Sequence, residues 1–84
     1  MRMMPELDLH GLTVDEALPK LDNYLYNAFV NNERVVCINH GRGTGALKQS
    51  VHRTLKNNSL VKSFRPGQHG EGSGGVTIVE LSDR

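Results

Sequence analysis

Apolar residues recur along this chain first in alternation, then at helical spacing, and the changes of period divide it into six elements. Leu7 and Leu9 alternate with Asp8 and His10 ahead of Gly11, the pattern of a short half-buried strand ending at a turn. Thr13, followed three residues later by Glu16, has the form of a capping box and starts a helix. Val14, Ala17, Leu18, Leu21, Leu25, Ala28 and Phe29 keep helical spacing and define its buried face, and Asn31 and Asn32 close it. Pro19 falls inside this helix, where it removes one backbone bond and is expected to kink the helix on its solvent side. Residues 34–39 read as a second strand, apolar at every position from 35 to 38, as a parallel strand covered on both faces would be. Leu47, Val51 and Leu55 mark the buried stripe of a second helix closed by Asn57 and Asn58. Residues 61–65 form a third strand stopped by Pro66 and Gly67, and residues 76–81 a fourth, reached through a glycine-rich loop.

The order is β-α-β-α-β-β. A β-α-β unit crosses over right-handed almost always, so the first two strands lie parallel and their carboxyl ends share one edge. Asp8, His10, His40 and the glycines that follow His40 arrive together at that edge, where open α/β sheets bind ligands. If the third strand runs the same way, the glycine loop carrying His69 and Glu71 joins them.

Composition narrows the class. Eighty-four residues, 37% of them apolar, make one small domain near the size where a single core becomes marginal. The longest apolar run is four residues, so nothing in the sequence spans a membrane, and no secretory signal precedes the first strand. A single cysteine, Cys37, sits in the apolar second strand as a small buried hydrophobe, which fits a reducing cytoplasmic setting. The chain reaches its first strand almost at once, as a domain cut from a longer protein does.

Charge changes the picture more. The net charge is only +1, yet residues 34–69 hold seven Lys and Arg with no Asp or Glu. Residues 1–33 carry two bases against six acids, and 70–84 one against three. The basic block is centred on His40-Gly41-Arg42-Gly43-Thr44-Gly45, a glycine-rich turn at a helix start. Such a turn lets backbone N–H groups approach an anion closely. Phosphate is the expected anion and nucleic acid its bearer. Arg42 sits at the tip of the turn, and Lys48, Arg53, Lys56, Lys62 and Arg65 are placed to contact backbone phosphates without reading sequence. The turn is neither a P-loop, lacking the Gly-Lys-Ser/Thr ending, nor a G-x-G-x-x-G dinucleotide motif. His52, between basic neighbours on the second helix, reads as a surface residue. Four aromatics in all leave little for base stacking.

Asp8 and His10 stand two apart on a strand and leave the same face. A carboxylate beside an imidazole can orient it for proton transfer; Asp8 could equally serve as a turn cap. With His40 at the neighbouring strand end, the pair forms a candidate general acid/base site for cleaving a phosphodiester. The same three residues could share a metal, with Mg or Mn the ions to test, but their spacing specifies none. No cofactor is required by the pattern.

LDLHG near the start, HGRGTGALK after the second strand and HGEGSGGVTIVEL at the end resemble an Smr (small MutS-related) domain over nearly the whole chain, about residues 6–81 of a single domain. The wording of the last two is most similar to the Smr domain at the C-terminus of the second bacterial MutS paralogue, the recombination-suppressing type. The resemblance implies a two-layer α/β sandwich with a four-stranded mixed sheet and two helices, like the C-terminal domain of bacterial translation initiation factor three. It implies endonuclease activity that nicks DNA with little sequence preference, in recombination control and DNA repair, with RNA as substrate for other members. The family's L-D-x-H motif falls on Leu7, Asp8, Leu9 and His10, and its H-G-x-G motif on His40, Gly41, Arg42 and Gly43. The expectation is thus Asp8, His10 and His40 as catalytic residues. Gly41, Arg42, Gly43, Thr44, Gly45, Lys48, Arg53, Arg65 and His69 are expected to bind the nucleic acid. DNA is the expected partner, together with the rest of a MutS-like parent chain. The alternative is a module that binds structured RNA or the ribosome without catalysis.

Overall fold

The computed structural model describes residues 4–43, 45–68, 70 and 74–83. Six elements follow in the predicted order: β1 (Glu6–Asp8), α1 (Val14–Val30), β2 (Val35–Asn39), α2 (Ala46–Lys56), β3 (Val61–Pro66) and β4 (Val76–Leu81). The elements match those expected from the pattern to within a residue or two. β1 is shorter, because from Leu9 the chain already turns towards α1, with Leu12 N–H donating to the Leu9 carbonyl at 3.1 Å.

The four strands form one sheet in the order β1-β2-β4-β3. β1 pairs parallel with β2, Asp8 beside Asn39, and β2 pairs antiparallel with β4, Asn39 beside Val76. β3 is antiparallel to β4 and therefore runs in the same direction as β1 and β2. The condition set above is met: all three parallel strands deliver their carboxyl ends to one edge, and β4 starts from it.

Alternation along the strands sorts the sheet into two faces. Val36, Ile38, Val79 and Leu81 join Leu9 and the helix residues Ala17, Leu21, Leu25, Ala28, Val51 and Leu55 in the main core. Cys37, Val76 and Ile78 form a small second cluster on the opposite face. Both helices thus cover one face, giving two layers. β2 has apolar neighbours on both sides, as its sequence implied, although one of its two partner strands is antiparallel.

Thr13 caps α1 through the expected capping box, its hydroxyl accepting from Glu16 N–H while Glu16 Oε1 accepts from Thr13 N–H at 3.0 Å. The helix runs through Pro19 without interruption; Pro19 is exposed, so water can serve the carbonyl it leaves without a partner. Its far end is closed by Asn32 at φ 63°, with Glu33 N–H donating to the Ala28 carbonyl and Asn32 N–H to that of Phe29. This is a Schellman closure with asparagine in the glycine position. No helix among the described residues is long and apolar enough to cross a membrane.

Candidate active site

At the carboxyl edge of the sheet a cleft of about 420 Å³ opens between the start of α1, the end of β1 and the turn leading into α2. His10, Gly41, Arg42, Gly43, Gly45 and Lys48 are among its walls, so two motifs thirty residues apart in sequence meet there. The third motif reaches them through the backbone. The Gly75 carbonyl, at the start of β4, accepts N–H bonds from both His40 and Gly41 at 3.0 Å. Thr44, His69 and Glu71, expected at this site, lie outside the described residues.

Asp8 and His10 act as one unit on the lip of the cleft. Asp8 Oδ1 accepts the backbone N–H of His10 at 3.1 Å and bonds the same residue's Nδ1. Turn cap and ring partner, the two uses considered for Asp8, are therefore both realised by one oxygen. The bond to the His10 ring, with the backbone bond beside it, lowers the Asp8 carboxyl below its ordinary value, so Asp8 is ionised at neutral pH. An acceptor at Nδ1 makes that nitrogen the donor and leaves Nε2 as the nitrogen of the neutral ring that can take up a proton. Both side chains are more than half exposed.

The turn is held tightly. Gly41 has φ +77°, and a β-carbon there would lie 3.1 Å from His10 Cβ, so only glycine fits without strain. Its N–H also meets Asn39 Oδ1 at 3.0 Å. Arg42 lies along Gly74, close enough that a β-carbon on Gly74 would touch its Nε at 3.5 Å. Gly45 begins α2 at φ +91° with no side-chain cap, and the first turn of α2 contains no acid. The two helix starts facing the cleft thus differ: α1 is satisfied by its own capping box, whereas α2 has neither a side-chain cap nor an acid in its first turn.

His40 is the most enclosed of the three residues expected to be catalytic. It is only 4% exposed, its Nδ1 bonds the Gly41 carbonyl at 2.9 Å, and its Nε2 meets the hydroxyl of fully buried Thr77 at 2.9 Å. Both ring nitrogens are thus bonded inside the protein, although His40 is also among the residues that line the cleft. Burial lowers its pKa, and that of His52, below the ordinary 6.5, so both are neutral at pH 7. The metal set considered for Asp8, His10 and His40 is not assembled either, because the His40 ring points into the protein. Among the described residues no three His, Cys, Asp or Glu side chains gather as a metal site.

The basic block is less uniform in space than in sequence. Lys48 borders the cleft, but Arg53 borders a separate hollow beside Asp22, and Arg65 lies by Glu80 on the other face of the sheet, donating to the Pro66 carbonyl at 3.2 Å. Neither is brought to the cleft. The compensating acids missing from residues 34–69 come from the C-terminal strand and tail: Glu80 pairs with Lys62 at 3.7 Å and Asp83 with Arg34 at 3.2 Å. These exposed pairs stabilise little, yet they subtract from the charge offered to a polyanion.

Three residues of this site escaped the sequence reading. Asn39 holds the turn, Thr77 bridges two imidazoles, and His52, expected on the surface, is half-buried, with Nε2 2.7 Å from Thr77 Oγ1 and its ring 5.1 Å from that of Phe64. The one available signal was Thr77 itself, a polar residue at a core-facing position of β4.

Comparison with known proteins places this geometry among relatives. The family model described as the Smr domain matches residues 7–82. Endonuclease MutS2 of Lachnoclostridium phytofermentans is 54% identical over 81 residues, 96% of this chain and 10% of that protein. Endonuclease MutS2 of Pelotomaculum thermopropionicum is 51% identical over 78 residues, 93% of this chain and 10% of that one. The chain thus spans about a tenth of the length of the curated relatives it matches. Among solved structures, the Smr domain of Thermus thermophilus MutS2 superposes with a TM-score of 0.91 at 42% identity, covering 94% of this chain and 99% of that one. YdaL of Escherichia coli, a stand-alone small MutS-related protein, shares the fold at 22% identity, with a TM-score of 0.90 over 98% of this chain and 67% of its own.

Proposed function

The chain belongs to the Smr domain family, and on that premise we propose that its cleft binds a nucleic-acid phosphate and hydrolyses the phosphodiester beside it, nicking DNA with little sequence preference. One observation carries the reading. A carboxylate-held imidazole, Asp8 with His10, stands on the lip of the same cleft as an uncapped helix start, Arg42 and Lys48. Anion binding and proton transfer are thereby within reach of one phosphate.

In the mechanism, the 41–45 turn and the start of α2 receive the phosphate, and Arg42 and Lys48 offset the charge that builds on its oxygens. Asp8 keeps the His10 ring oriented with its hydrogen on Nδ1. His10 Nε2 then takes a proton from the attacking water as the new P–O bond forms, and the departing oxygen collects a proton from solvent. His40 holds the turn from behind. Among the described residues Asp8 and His10 are joined by no third metal ligand, and these steps use the protein's own groups. Few aromatics, no base-reading cluster and contacts confined to phosphate account for low sequence preference. In a MutS-like parent chain, such a nicking domain would serve recombination control and repair.

The test is a nicking assay on supercoiled plasmid, alongside a structured RNA, with and without Mg²⁺ or Mn²⁺. His10→Ala is expected to lower cleavage about 10²- to 10⁴-fold, the range for a lost general base, while affinity stays within about twofold. Asp8→Asn should follow in the same direction, and Arg42→Ala should weaken binding and cleavage together. Equal loss of affinity and cleavage in His10→Ala would sink the catalytic role. Cleavage that survives both Asp8→Asn and His10→Ala would leave a binding module for DNA, structured RNA or the ribosome.

A further inference from the structure

Behind the turn, side chains from three parts of the chain meet in a line. Thr77 of β4 is fully buried, and its Oγ1 lies 2.9 Å from His40 Nε2 and 2.7 Å from His52 Nε2 of α2. The far end of the line sets its polarity. His40 Nδ1 meets the Gly41 carbonyl, and a carbonyl can only accept, so Nδ1 carries the hydrogen. In the neutral ring Nε2 is then bare and accepts the single hydrogen of the Thr77 hydroxyl. That hydroxyl has none left for His52, so His52 Nε2 donates to it. The donors run His52 to Thr77 to His40 to the Gly41 carbonyl, and no other arrangement of neutral rings satisfies every contact. His52 is braced for this part: its ring stands edge-on to His40 at 6.0 Å and against Phe64 at 5.1 Å.

The last bond bears on the cleft. A trans peptide sets its carbonyl and its N–H on opposite sides, so holding the Gly41 carbonyl towards the buried ring directs the Arg42 N–H away from it. We propose that Thr77 and His52 are positioning residues, which hold His40 in its Nδ1–H tautomer and thereby fix the Gly41–Arg42 peptide in the orientation that receives a phosphate. The second half rests on the reading of the turn as the phosphate site; the first does not.

The experiment uses the 84-residue chain labelled with ¹⁵N-histidine, whose long-range ¹H–¹⁵N spectrum at pH 7.5 reports the tautomer of each ring. Affinity for a single-stranded DNA oligonucleotide is measured on the same samples. In the wild type, His40 should be in the Nδ1–H form and His52 in the Nε2–H form. Thr77→Val should release both rings into tautomer mixtures, shift the Gly41 and Arg42 amide signals and lower affinity about tenfold, equivalent to one lost hydrogen-bond network contact. Thr77→Ser, which keeps the hydroxyl, should restore tautomers, amide signals and affinity to within about twofold. Should Thr77→Val fail to fold, His52→Leu at its half-buried position removes the first donor and should move the same signals. Opposite tautomers in the wild type, or variants that leave tautomers and amide signals unchanged, overturn the proposal. Shifted signals with unchanged affinity overturn the positioning role if Arg42→Ala still weakens binding. If Arg42→Ala also leaves affinity unchanged, the phosphate site itself falls, and the tautomers alone uphold the relay.

Discussion

Gly41 is the residue on which the cleft is most narrowly dependent. Its positive φ would cost a non-glycine residue about 1–2 kcal/mol, and its α-carbon also lies where a methyl group would press on His10 Cβ. Gly45 has a similar φ, but a β-carbon there meets nothing within 4 Å. Gly41→Ala is therefore expected to lose more stability in denaturant unfolding than Gly45→Ala, and to disturb His10 as well. Equal losses would show that only the dihedral matters. The L-D-x-H and H-G-x-G residues were legible in sequence because each motif is local. Thr77 and His52 were not, since a bond between residues 37 or 25 apart depends on strand order, which no local pattern carries. The enclosure of His40 was hidden for the same reason, since its partner Thr77 lies on β4.

At the scale of elements, the pattern of apolar residues sufficed for all six, because the helices bury one stripe, β2 and β4 carry apolar residues on both faces, and packing enforces the local preference. Pro19 is the exception to local preference. The buried stripe of Ala17, Leu21, Leu25 and Ala28 keeps α1 helical across a residue that propensity disfavours by about 3 kcal/mol. Pro19→Ala should return the missing backbone bond at an exposed position and stabilise the protein by about 1–3 kcal/mol, read from the midpoint of denaturant unfolding. A neutral or destabilising result would mean that the helix has bent to suit the proline. The basic block, continuous in sequence, is dispersed at this scale. Its seven cations lie just before β2, in the turn, on α2 and on β3, so they face different directions, and of the seven only Arg42 and Lys48 border the cleft.

Over the whole molecule, buried His40 and half-buried His52 link stability to acidity. Burial holds both pKa values below the ordinary 6.5, with the His40 ring, Lys48 and Lys56 adding to the effect at His52, so the folded chain binds fewer protons than the unfolded chain just under that pH. Above pH 6.5 there is no penalty; as pH falls below it the unfolded state gains protons first and stability declines, levelling off past the folded-state values. The unfolding temperature should be lower at pH 5.5 than at pH 7.5, and His52→Gln should reduce the difference. An unchanged temperature across that window would show that the rings accept protons without loss of their bonds.

β4 is the last strand in the chain yet lies between β2 and β3 in the sheet, and it alone brings Thr77 to the back of the turn. The order of manufacture therefore matters. A nascent chain that has emerged only as far as the glycine loop holds β1 beside β2, with β3 unable to join them and His40 without its anchor. The Gly75 carbonyl and Thr77 hydroxyl that hold the turn arrive only when residues 76–81 slot into the gap, so an unfinished or prematurely terminated polypeptide carries Asp8, His10 and residues 40–43 without the anchors that set them in place.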